Sequence, residues 1–419
     1  MNRIRLSTSG SDRATGYNMS NKVIRTPDAL FTGWLDAPQS SGDTAKIRFG
    51  THDPTTGERL STQTLGEGID NHCGPALALD PDNRMHVIIG AHHGPFIYRW
   101  SDNPEDPDSW SEGEQLGPKD TYPAMAIDRS GTIHLAHRVQ ADRWQLWYRR
   151  KKKGQAWEEP VVLVISPVPG YNHHMQSLTV GPTGNLHLVF QFHFAESGRA
   201  EDCKGRAAVY LRSLDGGDTW IDDSDETPDL PVTLETMKPV RHIPDGGDGR
   251  HAVRVANNTV DGDDRAWFFA SLQGAAGGLL FRRDADGWTE FDVGEMTGGL
   301  NLEGGRATSL SLAPDGRIHL VIATDESGRR TDWYAPNLEL FHISLDGNGQ
   351  NHTMTQLTSR DEDAANWLPA LEQWDWNRSD QCCANGHWMT YTRGLNAGGI
   401  GGDNKSALKT EVYLTRLAP

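Results

Sequence analysis

Long apolar runs are missing from this sequence. None approaches the roughly 18 residues that a membrane-spanning helix needs, and the start, MNRIRLSTSGSDRATG, lacks the apolar centre of a secretory signal. The expectation is a soluble chain with no membrane partner, secreted or periplasmic if a leader has been removed and otherwise cytoplasmic. Cysteine is scarce too. Cys73, Cys203, Cys382 and Cys383 are too few for a disulfide scaffold, and the adjacent Cys382 and Cys383 do not readily bridge each other. Positive charge is in deficit, with 40 Lys+Arg against 57 Asp+Glu and a formal net charge of -17. That balance excludes nucleic acid as a partner, because neutralising phosphates needs a basic surface. The one dense basic run, Arg149-Arg150-Lys151-Lys152-Lys153, reads as a solvated hairpin. An anionic sugar is not excluded, since charge beyond a Debye length of about 8 Å is screened and a locally basic pocket suffices.

What is abundant is turn-forming and aromatic residues: 45 Gly, 22 Pro and 14 Trp in 419 residues, the composition of a mostly β chain. The organising signal is a recurring unit in which an alternating apolar run meets a D-x-x-G-like turn and continues into G-x-[IL]-H-[LV]. It appears as PALALDPDNRMHVIIG from Pro75, PAMAIDRSGTIHLAHR from Pro123, SLTVGPTGNLHLVFQF from Ser177 and TSLSLAPDGRIHLVIA from Thr308, with a weaker copy, VRVANNTVDGDDRAWFFAS, from Val253. Each is a two-stranded hairpin by its period and turn, and each is followed by a second strand pair such as FIYRWS or LWYRRKK. Four strands per unit make a propeller blade, whose faces are covered only when blades stack radially. The fold class expected is therefore all-β: a single β-propeller domain over residues 1–419, of about seven four-stranded blades closed by pairing the two chain ends. SLDGGDTW, from Ser213 to Trp220, matches the Asp-box hairpin of related propellers, with Asp215 capping a turn and Trp220 packing between blades.

In a repeat protein, a residue that recurs at one blade position is architecture. His86, His134, His187 and His319 all fill the same slot and are assigned to packing. The remaining chemical residues are less regular. Asp70-Asn71-His72-Cys73-Gly74-Pro75, Tyr122-Pro123 and Tyr171-Asn172-His173-His174 precede the first strands of three successive blades, and His92-His93, His137-Arg138 and His193 end the second strands of the same blades. Entry to the first strand and exit from the second lie at one end of an antiparallel blade. Topology alone then brings His72, His92, Tyr122, Arg138, His173 and His193 to one face near the central channel, with Asn71, His93, Tyr171 and His174 beside them.

These residue types suit elimination at a 4-linked uronate, which needs a cation for the carboxylate, a base for the C5 proton and an acid for the departing O4. Arginine binds carboxylate bidentately and stays charged. Histidine, with an ordinary pKa of about 6.5, suits the base, and tyrosine or the same histidine can serve as the acid. At DNHCGPALALD, GAHHGPFIYRWS, TYPAMAIDRSGTIHLAHR and YNHHMQSL the chain resembles the propeller-fold polysaccharide lyases of the ulvan lyase type, closely over roughly residues 65–220 and as a generic propeller elsewhere. The resemblance implies an acidic polysaccharide or oligosaccharide substrate cut between rhamnose and O4 of glucuronate, with no cofactor needed for the chemistry. It implies His72 as base and also as acid, Tyr122 as the partner acid or base, Arg138 as carboxylate clamp, His92 as its support or a substrate contact, and His173 or His174 lining a subsite. Cys73 departs from the small residue expected there.

Two other classes are weighed. A sialidase-like hydrolase is suggested by the Asp box and by Val23-Ile24-Arg25-Thr26-Pro27, but no arginine triad can be placed. A non-catalytic carbohydrate-binding propeller predicts one site per blade, whereas the candidates concentrate in three. For metals, Cys382, Cys383 and His387 offer soft donors for a structural zinc, and Asp261-Gly262-Asp263-Asp264 offers an acidic loop for calcium.

Overall fold

The computed structural model describes residues 3–17, 19–40, 43–90, 92–244, 253–272, 275–300, 308–313, 316–325, 337–359, 364–378, 381, 386–395 and 409–417. Strand β1 (Arg3–Ser7) leads into a first sheet of β2 (Val23–Arg25), β3 (Leu30–Asp36), β4 (Ala45–His52) and β5 (Arg59–Gly68). A longer sheet follows, made of β6 (Ala76–Leu79), β7 (Met85–Ile89), β8 (His92–Ser101), β9 (Glu114–Ile127), β10 (Ile133–Val139), β11 (Gln145–Lys151) and β12 (Val161–Ile165). Next come β13 (Ser177–Val180), β14 (Leu186–Phe194), β15 (Lys204–Ser213) and β16 (Arg241–His242), then β17 (Val253–Val260), β18 (Ala266–Leu272), β19 (Ala275–Asp284) and β20 (Gly287–Asp292). The last two sheets are β21 (Thr308–Leu312), β22 (Ile318–Asp325), β23 (Leu338–Leu345) and β24 (Thr353–Gln356), and β25 (Ala365–Leu371), β26 (Trp388–Leu395) and β27 (Lys409–Arg416).

The chain is an all-β propeller, built on the expected four-stranded antiparallel plan. First strands pack neighbour on neighbour around a centre in the order β2, β6, β9, β13, β17, β21, β25, and β26 returns to β2. The ring closes through the two chain ends: β1 joins the last sheet by pairing with β27, Arg3 opposite Thr415 and Arg5 opposite Tyr413. One departure from separate blades is β9, whose first part pairs with β8 (Gln115 opposite Ile97) and whose second part pairs with β10 (Met125 opposite Leu135), merging two blade-like units into one sheet. Stacked sheets cover each other's faces, so inner strands are buried on both sides: every residue of β14, β17 and β23 is buried.

The repeat motif is explained by its hydrogen bonds. Asp80 Oδ1 accepts from the backbone N–H of Asp82 and Arg84 at 2.9 and 2.8 Å, and Asp128, Asp261 and Asp346 do the same two and four residues ahead. The recurring histidine reaches across to the third strand, with Nδ1 2.7 Å from a tyrosine hydroxyl in the pairs His86–Tyr98, His134–Tyr148 and His187–Tyr210. His319 makes the equivalent contact to His342 at 2.9 Å. In the Asp box, Asp215 accepts from Thr219 N and Oγ1 at 2.9 and 2.6 Å, and buried Trp220 packs edge-on against Tyr148.

Candidate active site

Strand ends and inter-blade loops converge on one pocket, and the backbone is irregular at each. His72 lies in the loop after β5, His92 and His93 open β8, Tyr122 lies within β9, Arg138 is near the end of β10, and His193 is near the end of β14. The β8–β9 register slips between His92 and Gly94, with His93 at φ 62°. Pro123 has no N–H for the ladder, the β9–β10 register slips between Ala136 and Arg138, and Tyr122 is held at φ 60°. Bulges of this kind re-aim side chains at strand ends, and the positive φ of a residue with a Cβ costs on the order of 1 kcal/mol. Neighbours fix the bulge: Gln176 Nε2 donates to the Tyr122 carbonyl and Ser20 Oγ to the Pro123 carbonyl. Thr121 pairs with His92 on one side and with Arg138 on the other.

Asp70 is the hub of one half of the pocket. Its Oδ1 lies 2.8 Å from the His72 backbone N and 3.3 Å from His72 Nδ1, and its Oδ2 contacts His92 Nδ1. The two imidazoles stack at 4.0 Å with 19° between their planes. His72 Nε2 meets the Arg13 guanidinium. Burial, and Arg13 beside it, hold the His72 pKa well below the usual histidine range, so the ring is neutral at pH 7. Burial acts to raise the Asp70 pKa, but hydrogen bonds from His72 and His92 outweigh it and keep the carboxylate ionised. The His93 ring lies 4.1 Å from that of His92, tilted by 35°, and burial, with Arg138 nearby, lowers its pKa to about 3.

Arg138 dominates the other half. Its side chain is enclosed, the residue being 1% exposed, with its guanidinium 4.4 Å from the ring centre of Tyr122, 4.6 Å from Trp144 and 5.2 Å from Tyr171. Nη1 donates to Tyr171 Oη at 3.3 Å, while Nε and Nη2 have no hydrogen-bond partner among the described residues. An arginine keeps its charge even when buried, so this pocket wall holds a cation with its in-plane donors still to be used. Tyr122 sits edge-on to Tyr17 at 5.3 Å and to His173 at 5.1 Å, with its ring centre 6.1 Å from that of His72. Burial pushes its phenol pKa above the ordinary tyrosine value, so the hydroxyl carries its proton at neutral pH.

His173 and His193 gather on Arg254, whose Nη1 is 3.5 Å from His173 Nδ1 and whose Nη2 is 3.1 Å from His193 Nε2. Two expected members are placed differently. Asn71 is buried and donates to Asp12 Oδ1 at 2.8 Å, which ties the loop to the N-terminal segment. His174 is fully buried against Phe190 and Phe192, and burial lowers its pKa to about 3. In extended chain, neighbours point opposite ways; His173 takes the pocket side and His174 the core side. Arg13, Tyr17, Asp70, Trp144 and Arg254 belong to the site without having been singled out. Arg254 is the second residue of β17, near the entry to a first strand as Tyr122 is two blades earlier. Arg13 and Tyr17 come from a segment outside the repeats, and no local pattern marks them.

Among the described residues, the donors close enough to share a cation are Asp70, His72 and His92, within 4.8 Å of one another. Both Asp70 oxygens are engaged by ring nitrogens and Arg13 sits against His72 Nε2, which favours a hydrogen-bonded cluster over a cation. Cys382 and Cys383 lie outside the described residues; His387 is buried, with its ring 4.6 Å from that of His319. Asp261 commits Oδ2 to Arg265 Nε and Trp267 Nε1, both at 2.9 Å, within its own hairpin. Arg25 pairs with buried Glu372 at 2.8 Å and so serves the blade interface.

A family model described as BNR repeat-containing family member matches residues 31–295. A curated ulvan lyase of Nonlabens ulvanivorans is 23% identical over 205 residues, a stretch that covers 42% of this chain and 43% of that enzyme's length. Among solved structures, an ulvan lyase of polysaccharide lyase family PL25 superposes with a TM-score of 0.68 at 14% identity over 99% of this chain and 96% of that one. The form described as bound to GlcA(1-4)Rha3S gives 0.69 at 13% identity, again over 99% and 96%. The polysaccharide lyase Uly1 gives 0.60 at 13% identity, over 99% and 98%.

Proposed function

Because this chain belongs to the BNR repeat-containing family, whose propeller here carries a pocket of basic and aromatic residues, we propose that it is a polysaccharide lyase. The substrate class is an acidic polysaccharide or oligosaccharide, cut at a rhamnose-α-1,4-glucuronate linkage by β-elimination. The observation that carries this reading is Arg138: a buried guanidinium walled by three aromatic rings, with Nε and Nη2 still able to donate. A uronate carboxylate has the charge and the two-oxygen geometry to use those donors. Bound there, it has its negative charge neutralised, which acidifies the adjacent C5–H.

The rest of the site supplies the proton transfers. Neutral His72 accepts the C5 proton at Nε2, and the incoming carboxylate offers Arg13 a new partner as it leaves that nitrogen. The C5 electron pair forms the C4–C5 double bond, the C4–O4 bond breaks, and the protonated Tyr122 hydroxyl donates to the departing oxygen. His92 steadies His72 by stacking, and His173 and His193, with Arg254, form the wall for the neighbouring sugar. The structural relative described with GlcA(1-4)Rha3S supports a uronate–rhamnose substrate.

The test is ultraviolet absorbance of the new conjugated double bond during incubation with ulvan and with a rhamnosyl-glucuronate oligosaccharide, using Arg138→Ala as the control. An absorbance rise that falls by about 100-fold or more in the variant is expected. New reducing ends without absorbance would replace elimination by hydrolysis, and no reaction on either substrate would remove the assignment.

A further inference from the structure

We propose that Asp70 is a positioning residue whose single carboxylate sets the tautomer of both pocket histidines, leaving Nε2 of each ring without a proton. The proposal rests on the reading of His72 as the base, and it adds a reason why that base is ready. An ionised carboxylate can only accept, so a ring nitrogen hydrogen-bonded to it carries the proton. Oδ1 lies 3.3 Å from His72 Nδ1 and Oδ2 contacts His92 Nδ1, so one group addresses both rings at the same atom.

A second contact reaches the same answer from the opposite end of His72. Arginine has donors and no acceptor, so the Arg13 nitrogen at His72 Nε2 requires that atom to be the acceptor. Nδ1 protonated and Nε2 bare is the one neutral form that satisfies both neighbours. The carboxylate is itself preset. Oδ1 takes the His72 backbone N–H at 2.8 Å, a turn closed two residues ahead, and Cys73 Sγ faces the same oxygen at 3.7 Å. Oδ2 is thereby aimed at His92, which arrives from β8.

Asp70 also acts during turnover, because a carboxylate at this distance favours the imidazolium that forms when His72 takes the C5 proton. The other groups facing His72 are Arg13 from the N-terminal segment, His92 from β8 and the Tyr17 and Tyr122 rings.

The experiment uses the full chain labelled with nitrogen-15 histidine, read by long-range proton–nitrogen correlation, alongside kinetics of Asp70→Asn. In the wild type both His72 and His92 are expected as Nδ1–H tautomers. The asparagine amide can offer its oxygen to one ring only and must donate to the other, so at least one ring switches to Nε2–H. With it, kcat falls about 10- to 100-fold while KM stays within about twofold. The acidic limb of kcat/KM moves to lower pH, because the anion that favoured imidazolium is gone. A wild-type His72 with Nε2–H overturns the proposal, as does an Asp70→Asn protein that keeps both tautomers and the original limb. The wild-type tautomer measurement needs neither turnover nor a variant, so an Nε2–H form of His72 overturns the proposal even if no uronate polymer is cleaved.

Discussion

At Arg138 function and stability pull in opposite directions. Removing a guanidinium from water is costly, and here it is offset by aromatic faces and one hydroxyl, with no ion pair among the described residues. Arg138→Met keeps the volume and removes the charge. It should abolish turnover and yet leave the thermal midpoint equal to or above the wild type, by up to about 3 kcal/mol in stability; a clear loss of stability in a melting curve would show that the cage, and not a substrate, is the guanidinium's purpose. Legibility at this scale followed chain geometry. His72, His92, Tyr122, Arg138, His173 and His193 were readable because strand entry and exit share one end of a blade. Which of His173 and His174 faces inward was not legible, because sequence proximity does not decide it, and the part played by Asp70 was not, because a carboxylate beside a histidine looks like ordinary loop chemistry. Arg13 was invisible: 59 positions separate it from His72, and nothing repeats around it.

The elements were the most legible part, since a period-two strand and an Asp-capped turn are local signals. Two hairpins carry an aspartate–histidine–tyrosine chain from the turn to the third strand, Asp80–His86–Tyr98 and Asp128–His134–Tyr148. In one of them Asp128 accepts from Ser130 N and Thr132 N at 2.9 Å each, and its second oxygen lies 3.2 Å from His134 Nε2. Asp128→Ala leaves two backbone donors and a buried imidazole short of a partner, and should cost about 1–3 kcal/mol in denaturant unfolding with kcat unchanged. A kcat that fell with it would mean that the hairpin end and the pocket end of the blade communicate. The merger of two units through β9 was not legible, because Gly117, Pro118 and Pro123 interrupt its pattern and read as loop.

For the whole molecule, buried neutral histidines set the response to acid. Burial lowers the pKa of His52 and His387 to about 4, and of His174 and His342 to about 3. A native state that refuses protons which the unfolded chain accepts near pH 6.5 keeps this stability above that pH and loses it as pH falls toward the folded values. Each such group contributes a slope of up to about 1.4 kcal/mol per pH unit. Melting temperatures should therefore be level above about pH 7 and drop steeply below about pH 6. His174→Leu should make that drop shallower; an unchanged slope would place the acid sensitivity elsewhere.

The strand shared by two units has a mechanical consequence. Where every blade is its own sheet, neighbours can rock against each other and the spacing of groups carried on different blades fluctuates. Here Thr121 is laddered to both His92 and Arg138, and Tyr122 follows it. The wall bearing the proposed acid and clamp is thus one plate, in which the spacing of His92, Tyr122 and Arg138 is held when neighbouring sheets rock.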